Sequence, residues 1–310
     1  MSARPEILVP AARPVACEAR VIANRAAVPG GAILALEVGA GFPAPRAGQF
    51  VHVRIGAGAP PLLRRPFSVL GFSPSPSGGA TIELMYAVVG QGTALLARVE
   101  PGERLGILGP LGNSFALGEA RALLLVAGGR GAVPLYRLVE SGDAGGRRAV
   151  FLFGARSADY LWGLERLPAG AGGERRLATI DGSAGARGTV IDLLAAALEE
   201  LPPAERGAGP RAARVLACGP EVMLRRVAAT AAAFGVESQV ALENRMGCAL
   251  GVCRGCVIPR RLTPASPWAR DGNARYATVC KEGPVFLGEE VDWEAMASAE
   301  ATVARGEATL

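Results

Sequence analysis

Through the first third of the chain, apolar residues come in short runs rich in Val, Ile and Leu, each closed off by glycine and proline. Val15 to Arg25, Ala32 to Val38, Gln49 to Ile55, Pro66 to Phe72, Ala80 to Val89 and Glu103 to Leu108 are such runs. Between them lie turn formers such as Val28-Pro29-Gly30-Gly31 and Ser73-Pro74-Ser75-Pro76-Ser77-Gly78-Gly79. Branched side chains suit a pleated, half-buried surface, and Gly and Pro interrupt it, so each run predicts a strand. Short antiparallel strands at this spacing predict a small closed barrel, an arrangement that leaves no strand edge open.

The rhythm changes after Ala120. Leu123 to Ala127 is a continuous apolar run, followed by glycines and then by Val133 to Glu140 at helical spacing. Arg148 to Gly154, Arg176 to Ile180 and Arg214 to Ala217 read as further strands, with helical stretches at Thr189 to Leu201 and Pro220 to Phe234. Such alternation predicts a Rossmann-like parallel α/β sheet covered on both faces. From Val236 onward apolar residues are too sparse for a separate core, and a metal centre is the expected substitute. The expected organisation is a six-stranded antiparallel barrel over residues 1–118, an α/β nucleotide domain over 119–235 and a short cluster-binding segment over 236–310.

Composition narrows the setting. Half of the 310 residues are apolar, enough for two or three modules with real cores. The longest apolar run, Ala122 to Gly129, is far shorter than the ~20 residues of a membrane span, so no membrane segment is expected. The formal net charge is +5, but apart from Lys281 the basic residues are scattered arginines, which argues against nucleic acid. His52 is the only histidine, which excludes a Ser-His-Asp hydrolase and any multi-histidine metal site. The opening Met1-Ser2-Ala3-Arg4-Pro5 lacks a basic and apolar signal segment, so a reducing, cytoplasmic setting is expected, with Cys17 and Cys218 as free thiols.

Candidate chemistry concentrates in four cysteines. Cys248, Cys253 and Cys256 follow C-x4-C-x2-C spacing and Cys280 stands apart, the plant-type layout for a [2Fe–2S] cluster. Gly247, Gly251 and Gly255 interleave with them, so the backbone can wrap tightly and aim N–H groups at sulfur. A structural zinc usually draws its ligands from two short knuckles, whereas three thiols here share one loop. Zinc and disulfides are the competing readings.

Two glycine-rich strand ends are candidates for anion binding, since helix N-termini beyond parallel strands present free N–H groups. Gly128-Gly129-Arg130-Gly131-Ala132-Val133-Pro134 is an incomplete G-x-G-x-x-G, with Pro134 in the third glycine's place, and by itself reads more readily as a tight turn than as a nucleotide loop. Cys218-Gly219-Pro220 ends another strand and opens a helix, so the two together can embrace a dinucleotide. In the barrel, Arg64-Arg65-Pro66-Phe67-Ser68 and Tyr86 to Thr93 hold groups useful to a flavin nucleotide: a guanidinium for pyrophosphate, a hydroxyl for a ring nitrogen, and Gly92-Thr93 for phosphate. A strand bounded by surface arginines is the alternative.

Together these residues resemble the ferredoxin-reductase-like flavoproteins, and most closely the family of electron-transfer subunits of type B dihydroorotate dehydrogenase. The resemblance runs through Ala47-Gly48-Gln49-Phe50, Arg65 to Ser68, Gly90-Gln91-Gly92-Thr93, Gly109-Pro110-Leu111-Gly112-Asn113-Ser114-Phe115, the Gly128 loop, Asp181 to Gly185, Cys218-Gly219-Pro220, Glu243 to Cys248 and Val279 to Phe286. It implies FAD contacts at Arg65, Pro66, Phe67, Ser68, Met85, Tyr86, Ala87, Gly92 and Thr93, with Ser68 tuning the reactive flavin nitrogen and Arg65 holding pyrophosphate. NAD(H) is expected at Gly128, Gly129, Gly131, Cys218, Gly219 and Pro220, and the cluster on Cys248, Cys253, Cys256 and Cys280.

The resemblance further implies an FMN-containing catalytic partner that oxidises dihydroorotate to orotate in pyrimidine biosynthesis, in a two-plus-two heterotetramer. Departures from the family pattern are Arg130, Val133, Ile180 and Ala249, and a long gap before Cys280 in which a surface loop at 263–275 is expected. The alternative within the same architecture is a subunit of an NAD(P)H-linked ferredoxin or sulfide oxidoreductase. A redox sensor or zinc-stapled binding protein without turnover is the alternative from another class.

Overall fold

The computed structural model describes residues 13–56, 63–167, 173–207, 209, 211–261 and 275–297. The expected loop at 263–275 lies outside these residues apart from Arg275, as does the tail beyond 297. Six strands, β1 (Val15–Val28), β2 (Gly31–Val38), β3 (Phe50–Arg54), β4 (Arg65–Pro74), β5 (Ala80–Ala87) and β6 (Arg104–Leu111), close an antiparallel barrel in the order β1-β2-β5-β4-β3-β6. Alternation along each strand sends Leu34, Leu36, Val51, Val53, Ile82, Leu84 and Ile107 into one apolar interior.

The fifth strand stops at Ala87 and not at the expected Val89. Val88 and Val89 are exposed, and the chain enters a helix that sequence reading did not anticipate, α1 (Gln91–Leu96). Glycines flanking Gln91 argue for a loop by propensity. Thr93 overrides them: its hydroxyl accepts from the N–H groups of Val89 (2.9 Å) and Gly90 (3.2 Å) and donates to the Gly90 carbonyl (3.1 Å).

One barrel residue carries a pH dependence. His52 is 1% exposed, and among the described residues neither ring nitrogen has a hydrogen-bond partner. Burial, with repulsion from the Arg64 and Arg65 guanidinium groups, pulls its pKa from 6.5 to about 4. The folded chain therefore binds fewer protons than the unfolded chain between these values, so the stabilisation is complete above pH 6.5 and lost as pH falls through about 4. Thermal melts over this range should show the decline, and His52→Phe should flatten it by about 3 kcal/mol. An identical pH slope in the two proteins would refute the assignment.

The second sheet is built from β7 (Ala122–Gly128), β8 (Arg148–Ala155), β9 (Gly173–Thr179), β10 (Ala186–Arg187), β11 (Arg214–Cys218) and β12 (Glu237–Ala241). After a separate hairpin of β13 (Val257–Pro259) and β14 (Tyr276–Thr278), β15 (Val285–Leu287) returns to it. The order is β10-β9-β8-β7-β11-β12-β15, parallel except for the antiparallel edge strand β15. Helix α2 (Val133–Glu140) covers one face through Leu135, Tyr136 and Leu138. The other face is covered by α3 (Val190–Glu199) and α4 (Glu221–Ala233) through Leu194, Leu198, Leu224 and Val227.

Both β12 and β15 fall in the 236–310 segment, yet they are strands of this sheet. Ile258, Val279, Phe286 and Trp293 from the same segment join its core. Apolar residues too few for a core of their own have been added to an existing one. The barrel meets the sheet through a shared apolar layer in which Ile33, Leu70 and Met85 pack with the Tyr136 side of α2. Arg166 bridges Glu83 on β5 and Glu140 on α2, at 2.6 Å each.

Candidate functional site

The cysteine loop follows β12, and its backbone is wound through left-handed conformations at Ala249 (φ 59°), Gly251 (φ 78°) and Arg254 (φ 53°). These turns bring N–H groups onto sulfur: Leu250 and Cys253 donate to Cys248 Sγ at 3.4 Å, and Gly251 donates to Cys280 Sγ at 3.2 Å. Alanine at 249 costs about 1–2 kcal/mol in this conformation, which explains why glycine would be expected there.

The N–H groups of Cys253 and Leu250 pull the Cys248 thiol down to about 6. Burial, and then the adjacent Cys256 thiol, push Cys280 well up. Cys253 acts on the Cys248 thiol, and both Cys256 and Cys248 act on that of Cys280, so the four thiols influence one another. Among the described residues no three Cys, His or carboxylate side chains converge closely enough for one ion. Four mutually interacting thiols, with backbone donors aimed at sulfur, fit a two-iron cluster, whose positive charge would hold buried Cys280 deprotonated.

Cys280 sits in a stiff turn. The N–H groups of Lys281, Glu282 and Gly283 all donate to the Thr278 carbonyl. The Glu282 carboxylate accepts from the Thr278 N–H at 2.7 Å and from its hydroxyl.

On the barrel, Arg65, Pro66, Phe67 and Ser68 form the half-open end of β4, while Val69 to Gly71 are buried. The Phe67 ring meets Tyr86 edge-on, 6.1 Å between centroids. Tyr86 in turn donates its hydroxyl to Asn24 Oδ1 at 2.9 Å. Met85 and Tyr86 are both buried, Met85 in the layer against α2 and Tyr86 in the barrel interior. Arg65 lies against bare Gly92, where a Cβ would come 2.7 Å from its Nε. Among the described residues the Ser68 hydroxyl has no hydrogen bond, whereas that of Thr93 is spent on its own turn. An uncommitted hydroxyl, an aromatic pair and a guanidinium cradled by a glycine fit a flavin nucleotide.

A cavity of about 740 Å³ opens across the C-terminal ends of β7, β8 and β11, on both sides of the point where the sheet order reverses. Gly128, Gly129, Gly131, Gly219 and Pro220 line it. Cys218 does not: it is buried and presses its carbonyl against Gly131, where a Cβ would come within 2.2 Å. Gly128 and Gly219 likewise leave room for the Met223 thioether, which a Cβ on either would meet at 2.5 Å. Bare α-carbons are thus what seat the two loops together.

Gly154, Arg156, Tyr160, Trp162 and Glu243 also line the cavity, and sequence reading did not single them out as ligand residues. The available signals were Gly154, at the end of an expected strand, and Glu243, which opens the stretch that carries the resemblance into the cysteine loop. The Trp162 indole N–H donates to the Gly129 carbonyl at 3.2 Å, and Arg156 stacks 4.4 Å over the Tyr160 ring. Glu243 is exposed onto the cavity, and the protein packed around it raises its carboxyl pKa by desolvation against the pull of Arg130. Five residues further on stands Cys248, so cavity and cysteine loop are neighbours along the chain.

Residues 243–292 match the family model described as the iron–sulfur cluster binding domain of dihydroorotate dehydrogenase B. The chain is similar to the electron transfer subunit of dihydroorotate dehydrogenase B (NAD(+)) from Bacillus caldolyticus, 39% identical over 79% of this chain and 86% of that one. To the subunit of the same name from Fusobacterium nucleatum it is 32% identical, over 80% and 87%. Among solved structures it resembles the NADH-dependent reduced ferredoxin-NADP oxidoreductase, with TM-score 0.73 and 25% identity over 94% of each chain. The ferredoxin NADP+ reductase from Neisseria gonorrhoeae, at TM-score 0.58 and 18% identity over 74% of this chain and 94% of that one, shares the fold.

Proposed function

For a chain that belongs to the family of electron-transfer subunits of NAD(+)-dependent dihydroorotate dehydrogenase B, we propose a path of electrons between NAD in the strand-end cavity and a catalytic partner docked over the cysteine loop. The observation that carries this reading is the meeting of three elements in one body: a dinucleotide-sized cavity, a half-open flavin strand and a four-thiol loop. NAD(H) exchanges two electrons at once as hydride while a [2Fe–2S] cluster takes one; a flavin can hold one or two, so bound FAD would supply the link between nicotinamide and iron. The chemistry on dihydroorotate belongs to the partner, an FMN-bearing subunit in a two-plus-two assembly, and the product serves pyrimidine synthesis.

This chain's own residues bind and orient. Arg65 holds the FAD pyrophosphate, with Pro66, Phe67, Met85, Tyr86, Ala87, Gly92 and Thr93 around the nucleotide. Ser68 directs its hydroxyl at the ring. Gly128, Gly129, Gly131, Gly219 and Pro220 bring backbone to the NAD phosphates, with Cys218 behind them. Cys248, Cys253, Cys256 and Cys280 hold the irons. The partner meets an apolar rim around the cysteine loop, where Leu250 is 48%, Val252 80% and Tyr276 58% exposed. Among the described residues no helix is long and apolar enough to cross a membrane.

Anaerobically isolated protein should carry FAD, iron and sulfide, and NADH should bleach the flavin and then reduce the cluster. Ser68→Ala should slow the bleaching by about 10²-fold with iron content intact, the scale of a lost positioned polar group. An unchanged rate would remove Ser68 from this role. Colourless protein holding zinc would sink the whole reading.

A further inference from the structure

Three sequence stretches meet in space: Ala47 to Phe50 and Gly109 to Phe115, which neither cofactor absorbs, and Val279 to Phe286, of which the cluster takes only Cys280. Asn113 is at their centre, 3% exposed. Its amide N–H2 donates to the carbonyls of Glu282 (3.0 Å) and Val285 (2.8 Å), and its carbonyl accepts from the Val285 N–H at 2.9 Å. Its backbone N–H donates to Gly283 at 2.7 Å. One residue of the barrel thus grips the chain on both sides of Pro284.

The grip is continuous with the flavin strand. Gln49 donates from Nε2 to the Gly112 carbonyl at 2.9 Å, accepts from the Arg46 N–H at 2.9 Å on Oε1, and its own carbonyl accepts from the Val69 N–H at 3.4 Å. Ser68 is in register with Phe50, the next residue after Gln49. The fit is too close for added atoms: a Cβ on Gly112 would stand 2.5 Å from Pro284 Cδ, and one on Gly48 2.8 Å from Val285 Cγ2. On the far side, the turn held by Thr278 and Glu282 carries Cys280.

We propose that Asn113 is a positioning residue whose amide bolts the barrel to the turn bearing Cys280, and thereby sets the separation between the flavin strand and the cluster. The inference rests on the functional reading above, in which FAD lies along β4. A ligand on a stiff turn keeps its distance from the barrel only if the turn itself is fixed. The three side-chain hydrogen bonds are the means, since a buried amide with all of them made admits one register of the two segments. Electron transfer weakens steeply with separation, so loosening the bolt slows the flavin-to-cluster step and leaves the hydride step alone.

The test mixes NADH anaerobically with wild type, Asn113→Ala and Arg166→Ala, each isolated with FAD and iron. Flavin bleaching is read by absorbance and cluster reduction by rapid-freeze EPR. Asn113→Ala is expected to keep its FAD and iron, bleach flavin at the wild-type rate, and reduce its cluster about 10²-fold more slowly, the scale of an ångström-sized misplacement. The Val285 N–H should also exchange with solvent faster. Arg166→Ala, which opens the barrel joint elsewhere, should melt earlier with both rates unchanged.

Wild-type cluster reduction in Asn113→Ala overturns the proposal. So does loss of iron from both Asn113→Ala and the milder Asn113→Ser, because the amide would then be holding the ligands and not their spacing. If NADH bleaches no flavin in wild type, the functional reading itself has failed, an outcome distinct from the other two.

Discussion

Serine in place of Cys280 should empty the chain of iron and sulfide while FAD stays bound and is still reduced by NADH. The sulfur is buried and accepts the Gly251 N–H at 3.2 Å. A serine oxygen is a poor ligand for iron beside three thiolates. Electron delivery to the catalytic partner should fall on the order of 10²-fold or more, with NADH reduction of ferricyanide, drawn from the flavin, near wild type. Iron and sulfide counts, the EPR signal and both rates check this. A Cys280→Ser protein with full iron and undiminished transfer would exclude Cys280 as a ligand.

Valine in place of Gly131 should damage the nucleotide cavity from within. A Cβ there would stand 2.2 Å from the Cys218 carbonyl oxygen, 2.4 Å from its carbon and 2.5 Å from the Gly219 nitrogen. These are backbone atoms at the end of β11, which cannot swing aside as a side chain can, so the ends of β7 and β11 must part. Overpacking of this kind costs about 1–3 kcal/mol. The NADH KM should rise on the order of tenfold or more, because the backbone groups facing the phosphates are displaced. Gly129→Ala is the contrast: φ is 55° there but a Cβ meets open space, so it should cost only about 1–2 kcal/mol of left-handed strain. Melting curves and the KM of the two variants separate these effects, and a wild-type KM in Gly131→Val would break the link between this contact and nucleotide binding.

The neighbourhood of Thr93 shows why local reading failed where it did. A run of Gly90, Gln91 and Gly92 has poor helix propensity, and only the hydroxyl of Thr93, closing on Val89 and Gly90, turns it into α1. Val88 and Val89 failed in the opposite sense, since β-branched residues suit a strand wherever they stand. Their partner strand β2 begins at Gly31, paired with Ala87, and beyond it no strand remains to hold them. Cys218 illustrates a third limit: its place after a strand marked the loop, but only packing put its side chain behind the cavity wall.

What the amino-acid order determined by itself was local. Alternation and turn formers specified the barrel strands, continuous apolar runs specified the parallel sheet, and thiol spacing specified cluster chemistry, because each depends on neighbours within a few residues. Tertiary structure alone decided that β12 and β15 complete the nucleotide sheet, that Glu243 and Trp162 face its cavity, and that Asn113 reaches Val285. Those outcomes depend on packing between segments far apart in the chain, where burial and hydrogen-bond satisfaction, and not local propensity, select the partner.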